Sequence, residues 1–462
     1  MRQTAVVIVG GGVAGLAAGH TLAKRGVPFI LAEAGPAFGG VIRTERRDGF
    51  LLEGGPDSIL AQKPEGIDLC RELGLGDHLV PTNPESRAVF VLHRRRLHPL
   101  PEGMMLAVPT RIVPFLRSGL FSWPGKLRMG LDLVIPGRAQ NGDESIATFL
   151  RRRFGQEAVD RLGEPLLAGI HAGDPERLSI RATFPRFADL ETRHGSLVRG
   201  MWAAPRPAPR PGGPASAFYS LRGGLVELVD ALVKRLPADQ LQKESPVSRL
   251  ERAGRAYRVG LDGGESIEAR AVIIAAPGPR IAPVLAPLVP EVAGALAAIP
   301  FASSATVLLG FRSEDVAHPL DGYGLVVPQT ERLRTTACSF FSTKFPGRAP
   351  EGHVLLRAFL GGARDPGVLA LSDGELVDLA LRDMGPVLGL RGTPVMTRVF
   401  RWPAGTPQLE VGHLDRMGEV ERRVAAVPGL FLTGSGIRST GIPDSVGDAT
   451  RVAIRAAESL EA

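Results

Sequence analysis

The chain opens with an unbroken apolar stretch, Ala5–Val9, that runs into Gly10, Gly11 and Gly12. A short apolar run closed by glycine reads as a buried strand entering a tight turn. Small and apolar residues then continue at helical spacing to a stop at Gly26, and a second apolar run, Pro28–Glu33, ends in an acid. Strand, turn, helix and strand in this order predict a βαβ start. Further on, Lys63–Leu79 predicts a short amphipathic helix closed by glycine, and Ala88–Pro101 alternates like a hairpin edge. Met104–Arg138 is apolar with helical spacing but is broken by Pro109, Pro114, Pro124 and Pro136. Residues 144–168 predict two short helices. Gly223–Leu236 predicts a helix after a double glycine, and Ser245–Gly278 a meander ending in a buried strand, Val272–Ala275. A second β-rich portion is expected over Ser303–Trp402, a strand at Leu430–Gly434, and a last helix beginning near Asp448. Ala203–Ala215 is rich in proline and glycine and predicts a mobile surface loop. No internal repeat is visible.

Length and composition narrow this picture only slightly. The chain has 462 residues, 44% apolar and 22% charged, enough for two or three domains with a sizeable core. No run of 18 uncharged apolar residues occurs, so no transmembrane helix is expected, and the N-terminus reads as a strand rather than a signal peptide. Two distant cysteines, Cys70 and Cys338, fit no metal spacing and suggest a reducing, cytoplasmic setting. The net charge of +7 fits either a generally arginine-rich composition or attraction to an anionic substrate or membrane surface. The basic runs His93–His98 and Arg151–Arg153 lack interleaved aromatics, so no nucleic-acid module is expected.

The chemistry begins at the first turn. Gly10, Gly12 and Gly15 form G-x-G-x-x-G. The first permits the turn, the second lets backbone approach a pyrophosphate, and the third lets helix and strand pack closely. The helix N-terminus offers unpaired N–H groups and a positive dipole end to phosphates. Glu33 ends the second strand and can accept both ribose hydroxyls, which also disfavours a 2′-phosphate. The residues after Glu33 separate flavin from nicotinamide. Gly39-Gly40-x-x-Arg43 resembles the second signature of flavin-dependent amine oxidoreductases. Two glycines let the chain bend over the pyrophosphate, and Arg43 can offset phosphate charge, sit near the flavin, or be a plain surface arginine.

Three longer stretches sharpen the resemblance. Glu164–Pro185, Thr397–His413 and Leu430–Ala453, in this order, are similar to the FAD-dependent porphyrinogen oxidases, and the likeness covers nearly the whole chain. It implies an α/β fold: a Rossmann-type FAD-binding domain built from the discontinuous segments 1–80, 218–300 and 428–462. A helical, membrane-docking-like subdomain would span 101–217, and a mixed-sheet substrate domain 301–427 with a hairpin at 81–100. It implies non-covalent FAD held at Gly10, Gly11, Gly12, Val13, Ala14, Gly15, Glu33, Ala34, Gly39, Gly40, Val41 and Arg43. Further expected contacts are Gly55, Pro56, Asp57, Ser58, Val247, Ala276, Trp402, Gly434, Ser435, Gly441, Ile442, Pro443 and Asp444. Asp444 and the last helix's N-terminus are expected to face the flavin's ribityl and phosphate groups.

The activity so implied is oxygen-dependent aromatisation of a porphyrinogen in haem synthesis, with the cofactor carrying the redox work. Leu97–Pro101, Val108–Lys126, Ala349–Asp365 and Thr440–Asp444 resemble the soluble coproporphyrinogen III enzymes more than the protoporphyrinogen IX enzymes. Many of the latter carry arginine where this chain has Ala88 or Val89. Leu409 replaces a common aromatic and Ser445 a common cysteine, which leaves pocket details open. Gly169 is expected beside the reactive ring carbon, or else as a helix-ending glycine. His171 is read as a proton shuttle or a packed wall residue, and Phe359 packs against the macrocycle or belongs to the core. Arg87, Arg94–Arg96, Arg43 and Lys344 are candidate propionate anchors, each equally readable as a surface charge. Ferrochelatase downstream, peripheral membrane contact and a homodimer are the partners the resemblance suggests. An amine oxidase, a carotenoid desaturase, or a flavin-binding scaffold without turnover remain the alternatives.

Overall fold

A computed structural model describes residues 2–138, 142–203, 216–438 and 440–461. Arg2–Val9 runs parallel to Phe29–Ala32 on one side and to Ser266–Ile274 on the other. Leu241–Gln242 extends this sheet beyond Phe29–Ala32, and Leu430–Leu432 joins it alongside Ser266–Ile274, both in parallel. A parallel sheet is covered on both faces, which is why Val6–Val9 and Phe29–Ala32 are apolar without alternation and wholly buried. Helices Val13–Lys24, Val226–Arg235 and Ile442–Glu458 cover one face. Gly278–Leu285, Pro290–Ala297 and His413–Ala425 cover the other. The expected meander is present: Val247–Ala253 and Ala256–Leu261 pair antiparallel before Ser266–Ile274 returns to the centre.

A second sheet has the order Met396–Pro407, Phe301–Arg312, His353–Gly361, Thr335–Phe340, Gly322–Val326, Ala88–His93, Arg96–Pro99. The last two strands are the expected hairpin. Arg94 and Arg95 both have positive φ, 52° and 60°, the two-residue turn that matches strand twist. Their backbone N–H groups donate to the Glu331 carboxylate, at 2.7 and 3.1 Å. The helix Asp373–Leu388, started by a Ser372/Glu375 capping box, packs its apolar side on this sheet.

The remaining helices surround a separate core that includes Phe115, Phe149, Leu162 and Leu197. Several sequence expectations change here. Met104–Met105 and Val108–Pro109 form a short antiparallel pair, so helix begins only at Ile112. The two helices expected over residues 144–168 are present, Ile146–Phe154 and a second from Gln156 to His171, separated at Gly155 with φ 91°, and the second carries a π-turn at Val159–Gly163 and runs three residues further than expected. The last helix starts at Ile442, six residues before Asp448, because Gly441 caps it and Pro443 fits the first turn, where its missing N–H costs nothing. The arginine run is internal structure. Arg153 and Asp132 are both fully buried and paired, with Arg153 Nε donating to Asp132 Oδ1 at 2.6 Å, and Arg152 bridges Glu144 and Glu191. The expected loop at Ala203–Ala215 falls, from residue 204 on, outside the described residues.

Candidate functional site

Three chain segments converge at the C-terminal ends of the parallel strands. Gly10 has φ +106°, and a Cβ there would come within 2.9 Å of Ala275 O. A Cβ on Gly15 would collide with the Gly10 carbonyl oxygen, so turn, strand and helix are in direct contact. Gly12 differs: its φ of −70° suits any residue, and nothing lies within 4 Å of where a Cβ would point. It caps the helix Val13–Lys24 without any side-chain hydrogen bond, which leaves first-turn amides beside an open space. Gly434, with φ +105°, approaches the same corner, where a Cβ on it would lie 3.4 Å from Ala275 O and 3.8 Å from the Ala14 Cβ.

The acid at the end of the second strand organises this turn. Glu33 accepts from Gly11 N–H at 2.6 Å and from Gly35 N–H at 2.7 Å. Its own backbone pairs with Gln242 O and Ser245 N, which brings the Val247 strand alongside. The second glycine pair then folds over the first. Gly39 N–H donates to Gly11 O at 2.8 Å and Gly39 bridges Gly12, while a Cβ on Gly40 would lie 3.4 Å from Gly12 Cα. Ala34, Gly40, Val41 and Arg43 are exposed around this rim, as is Ser435.

Gly55 sits directly on the Val41 carbonyl, and Gly54 O accepts the Trp402 Nε1–H at 3.0 Å. The turn Gly54-Gly55-Pro56-Asp57-Ser58 thus joins the cradle to the second sheet. Asp57 accepts from Ser58 Oγ at 2.6 Å and pairs with Lys344 Nζ at 2.9 Å and Arg357 Nη1 at 3.4 Å. Burial alone would raise the Asp57 carboxyl, but Lys344 and Arg357 overcome it and hold the group far below the usual carboxylate range. Lys344 is therefore committed to Asp57 and is not a free propionate anchor. Arg357 is a site residue that the sequence reading missed. The one available signal was a charge inside the apolar strand His353–Gly361.

The last helix closes the cradle from below. Ile442 and Pro443 are buried, Pro443 lying against Gly66. Asp444, in the helix's first turn, faces Lys63, whose Nζ contacts both carboxylate oxygens at 2.6 Å. Ala276 follows the strand beneath Gly10, whose Cβ position lies 3.1 Å from Ala276 N.

On the other side of the turn, the helix Glu164–His171 lies on the second sheet. Gly169 is inside this helix, not at its end; Ala172 makes the left-handed cap, with φ 50°. A Cβ on Gly169 would come 3.1 Å from Ala337 Cβ and 3.6 Å from Val326 Cγ1. Ala337 is the cross-strand partner of Phe359, so Gly169 and Phe359 belong to one wall. Phe359 is half-buried and carries the Arg357 guanidinium over its ring at 4.7 Å. The half-buried His171 ring meets Phe184 edge-on at 5.8 Å, and burial pushes its pKa from 6.5 down to about 4. It is therefore neutral at pH 7. Arg87 is exposed, with no partner among the described residues.

The cradle fits the phosphates and ribose of a nucleotide cofactor: open space at Gly12, a helix N-terminus without a side-chain cap and an acid beside the second strand. A model of the family described as flavin containing amine oxidoreductase matches residues 13–460. The chain belongs to this family. Within it, the chain is 38% identical to coproporphyrinogen III oxidase of Bacillus subtilis, over 96% of this chain and 95% of that one. It is 31% identical to the chloroplastic protoporphyrinogen oxidase of Nicotiana tabacum, over 97% and 84%. A crystal structure of an Exiguobacterium protein assigned by inference to the protoporphyrinogen oxidases superposes with a TM-score of 0.87 at 33% identity, covering 100% of this chain and 99% of that one. Membership makes this chain a flavin-dependent oxidoreductase.

Proposed function

We propose that this chain binds FAD non-covalently and oxidises coproporphyrinogen III to coproporphyrin III in haem synthesis. The observation that carries the reading is the end-to-end likeness to the Bacillus subtilis enzyme. The joining of a dinucleotide cradle to an apolar wall of Gly169 and Phe359 supports it. Six hydrogens leave the macrocycle in three two-electron steps, and three O2 become three H2O2. The bound flavin supplies the redox chemistry.

The residues of this chain bind, orient and exclude water. Gly12 and the first-turn amides of Val13–Lys24 hold the pyrophosphate, and Glu33 the ribose. The Gly54–Ser58 turn and Trp402 fix the cofactor's position against the second sheet. Gly169 and Phe359 offer a flat apolar wall, and proximity across it contributes much of the rate. His171, neutral near pH 7, serves as a wall residue with a hydrogen-bonding edge. A Lys63–Asp444 pair at the last helix's N-terminus keeps that helix docked under the cradle, so Asp444→Ala loosens FAD more than it weakens the fold.

Among the described residues no helix is long and apolar enough to cross a membrane. The segment 112–134 nevertheless exposes Ile112, Val113, Trp123, Leu127 and Val134, each more than half accessible. This face is the proposed peripheral membrane contact.

Porphyrins fluoresce and porphyrinogens do not, so one assay decides. With oxygen present, initial fluorescence rates are expected to be highest on coproporphyrinogen III. Preference for protoporphyrinogen IX replaces the substrate assignment. Background rates on both, or a flavin band near about 450 nm that survives anaerobic porphyrinogen, overturn the reading.

A further inference from the structure

The charges behind the Gly54–Ser58 turn do not balance. Arg357 is 3% exposed and Arg348 fully buried, and both guanidinium groups lie within 6 Å of the Phe341 ring, at 5.9 and 5.7 Å. Lys344, from the short helix Phe341–Lys344, is the third cation. Two carboxylates face Arg357: Asp57 from the turn and Glu53 from the strand Phe50–Glu53; Arg348 also meets Glu227, whose pull is opposed there by Arg46. Glu53 is fully buried, and burial pushes it up to about 7 against the opposing pull of Leu225 N–H, Thr44 and the two arginines. Near neutral pH, with Glu227 and Arg46 opposing each other at Arg348, the three cations beside the turn therefore face one full and one partial negative charge. Buried surplus charge is expensive unless a counter-charge arrives.

The hydrogen bonds leave the same remainder. The Arg357 fork reaches the carbonyl oxygens of both Gly54 and Gly55 as well as Asp57. Its Nε–H, and that of Arg348, are buried with no acceptor among the described residues. An unpaired buried donor on a charged group costs more than a neutral one. The turn it grips rests on Val41, one residue from the Gly40 that covers Gly12.

We propose that Arg357 is a positioning residue for the flavin, whose fork fixes the Gly54–Asp57 turn against the cradle and whose charge favours the reduced, anionic cofactor. Two electrons and one proton convert oxidised flavin to that anion, and the positive surplus behind the turn supplies its counter-charge. The inference rests on flavin occupying the cradle. Protein that neither carries nor takes up FAD defeats that premise and leaves Arg357 without a role.

The test uses the holoprotein of wild type, Arg357→Lys and Arg357→Met. FAD dissociation is measured by flavin fluorescence, and the flavin midpoint potential by dye equilibration at pH 8. Arg357→Met is expected to weaken FAD binding at least tenfold. It should also shift the two-electron equilibrium at least tenfold toward oxidised flavin, a fall of about 30 mV. Arg357→Lys keeps the charge but loses the fork, so its potential stays near wild type while FAD binding weakens. A Met variant with wild-type potential, or a Lys variant whose potential falls equally, overturns the electrostatic role. Unchanged FAD binding in both overturns the positioning role. Should Arg357→Met fail to fold, Glu53→Gln tests the same field. Removing a negative charge must then raise the potential at pH 8, and no change overturns the proposal.

Discussion

At the scale of single residues, the glycines of the first turn divide into two kinds that the motif alone does not distinguish. Gly15 is required by the fold, because its Cβ would strike the Gly10 carbonyl, whereas Gly12 faces open space with an ordinary φ. Gly15→Ala is therefore expected to destabilise the protein by about 3 kcal/mol, seen as a lower melting temperature with or without FAD. Gly12→Val should lower the melting temperature of the apoprotein much less than Gly15→Ala does, by the loss of a favourable N-cap alone, and lower FAD affinity by about tenfold or more, since its side chain fills the phosphate space. Equal melting losses in both variants contradict this division. His171 yields a pH prediction. Its folded pKa, about 4, lies below the ordinary 6.5, so the unfolded chain binds more protons between those values. Its contribution to stability is present above pH 6.5 and is lost as the pH falls toward 4, by at most about 3 kcal/mol. His171→Phe should flatten that part of a denaturation-versus-pH curve. It should also leave the pH dependence of the rate between pH 6 and 8 unaltered, because the ring does not titrate there.

At the scale of elements, the helical part is pinned by ions as well as by apolar packing. Arg153, on Ile146–Phe154, reaches Asp132, and Asp132 in turn accepts from Ser196 Oγ at 2.6 Å and Val198 N at 3.0 Å. One buried carboxylate thus ties three segments together. Arg153→Met leaves Asp132 buried and unpaired, and is expected to cost about 4 kcal/mol. Asp132→Asn with Arg153→Met should recover part of that loss in chemical denaturation, which a simple packing defect would not allow. This pair also marks where sequence reading stops. The βαβ start, the meander and the hairpin were legible, because each is a local pattern with its own turn signal. The arginine run at 151–153 showed in the sequence only a lack of interleaved aromatics, because the partners that make it internal structure, Glu144, Glu191 and Asp132, come from other elements. Arg357 and the Lys344–Asp57 pair were hidden for the same reason: their partners lie 302 and 287 residues away in sequence. The last helix was misplaced because Gly441, Pro443 and the glycines before them read as continuing loop. In the fold, that proline opens the helix.

At the scale of the molecule, one feature has no internal counterpart. The two sheets and the helical core bury their apolar residues thoroughly, yet Trp123, Leu127 and Val134 are 65%, 72% and 71% accessible. They occur within one short stretch that also exposes Ile112 and Val113, at 53% and 57%. Scattered apolar residues are ordinary on a surface, but this many within one 23-residue stretch is not. Two exposed cations, Arg111 and Arg117, accompany the apolar residues and suit a headgroup layer, whereas Lys126 is buried on Leu116 O beneath the Trp123 ring and Arg128 is spent on the carbonyls of Arg151–Arg153. Short, proline-broken helices cannot span a bilayer but can lie at its surface with aromatic and aliphatic side chains inserted. A planar tetrapyrrole drawn from or delivered to such a surface would need a short path between it and the slot, and Glu164–His171 belongs to the same helical part. Wild-type protein is therefore expected to co-float with vesicles containing anionic lipid and to bind neutral vesicles more weakly. Trp123→Glu with Leu127→Glu should cut the vesicle-bound fraction about tenfold without changing melting temperature, flavin content or the rate on porphyrinogen in free solution. Arg117→Ala should weaken binding only to anionic vesicles, and high salt should erase that difference. If the double-glutamate variant floats as well as wild type, this face does not meet the membrane. A new dimer boundary would then be the occupant to look for, by sedimentation of the same variant.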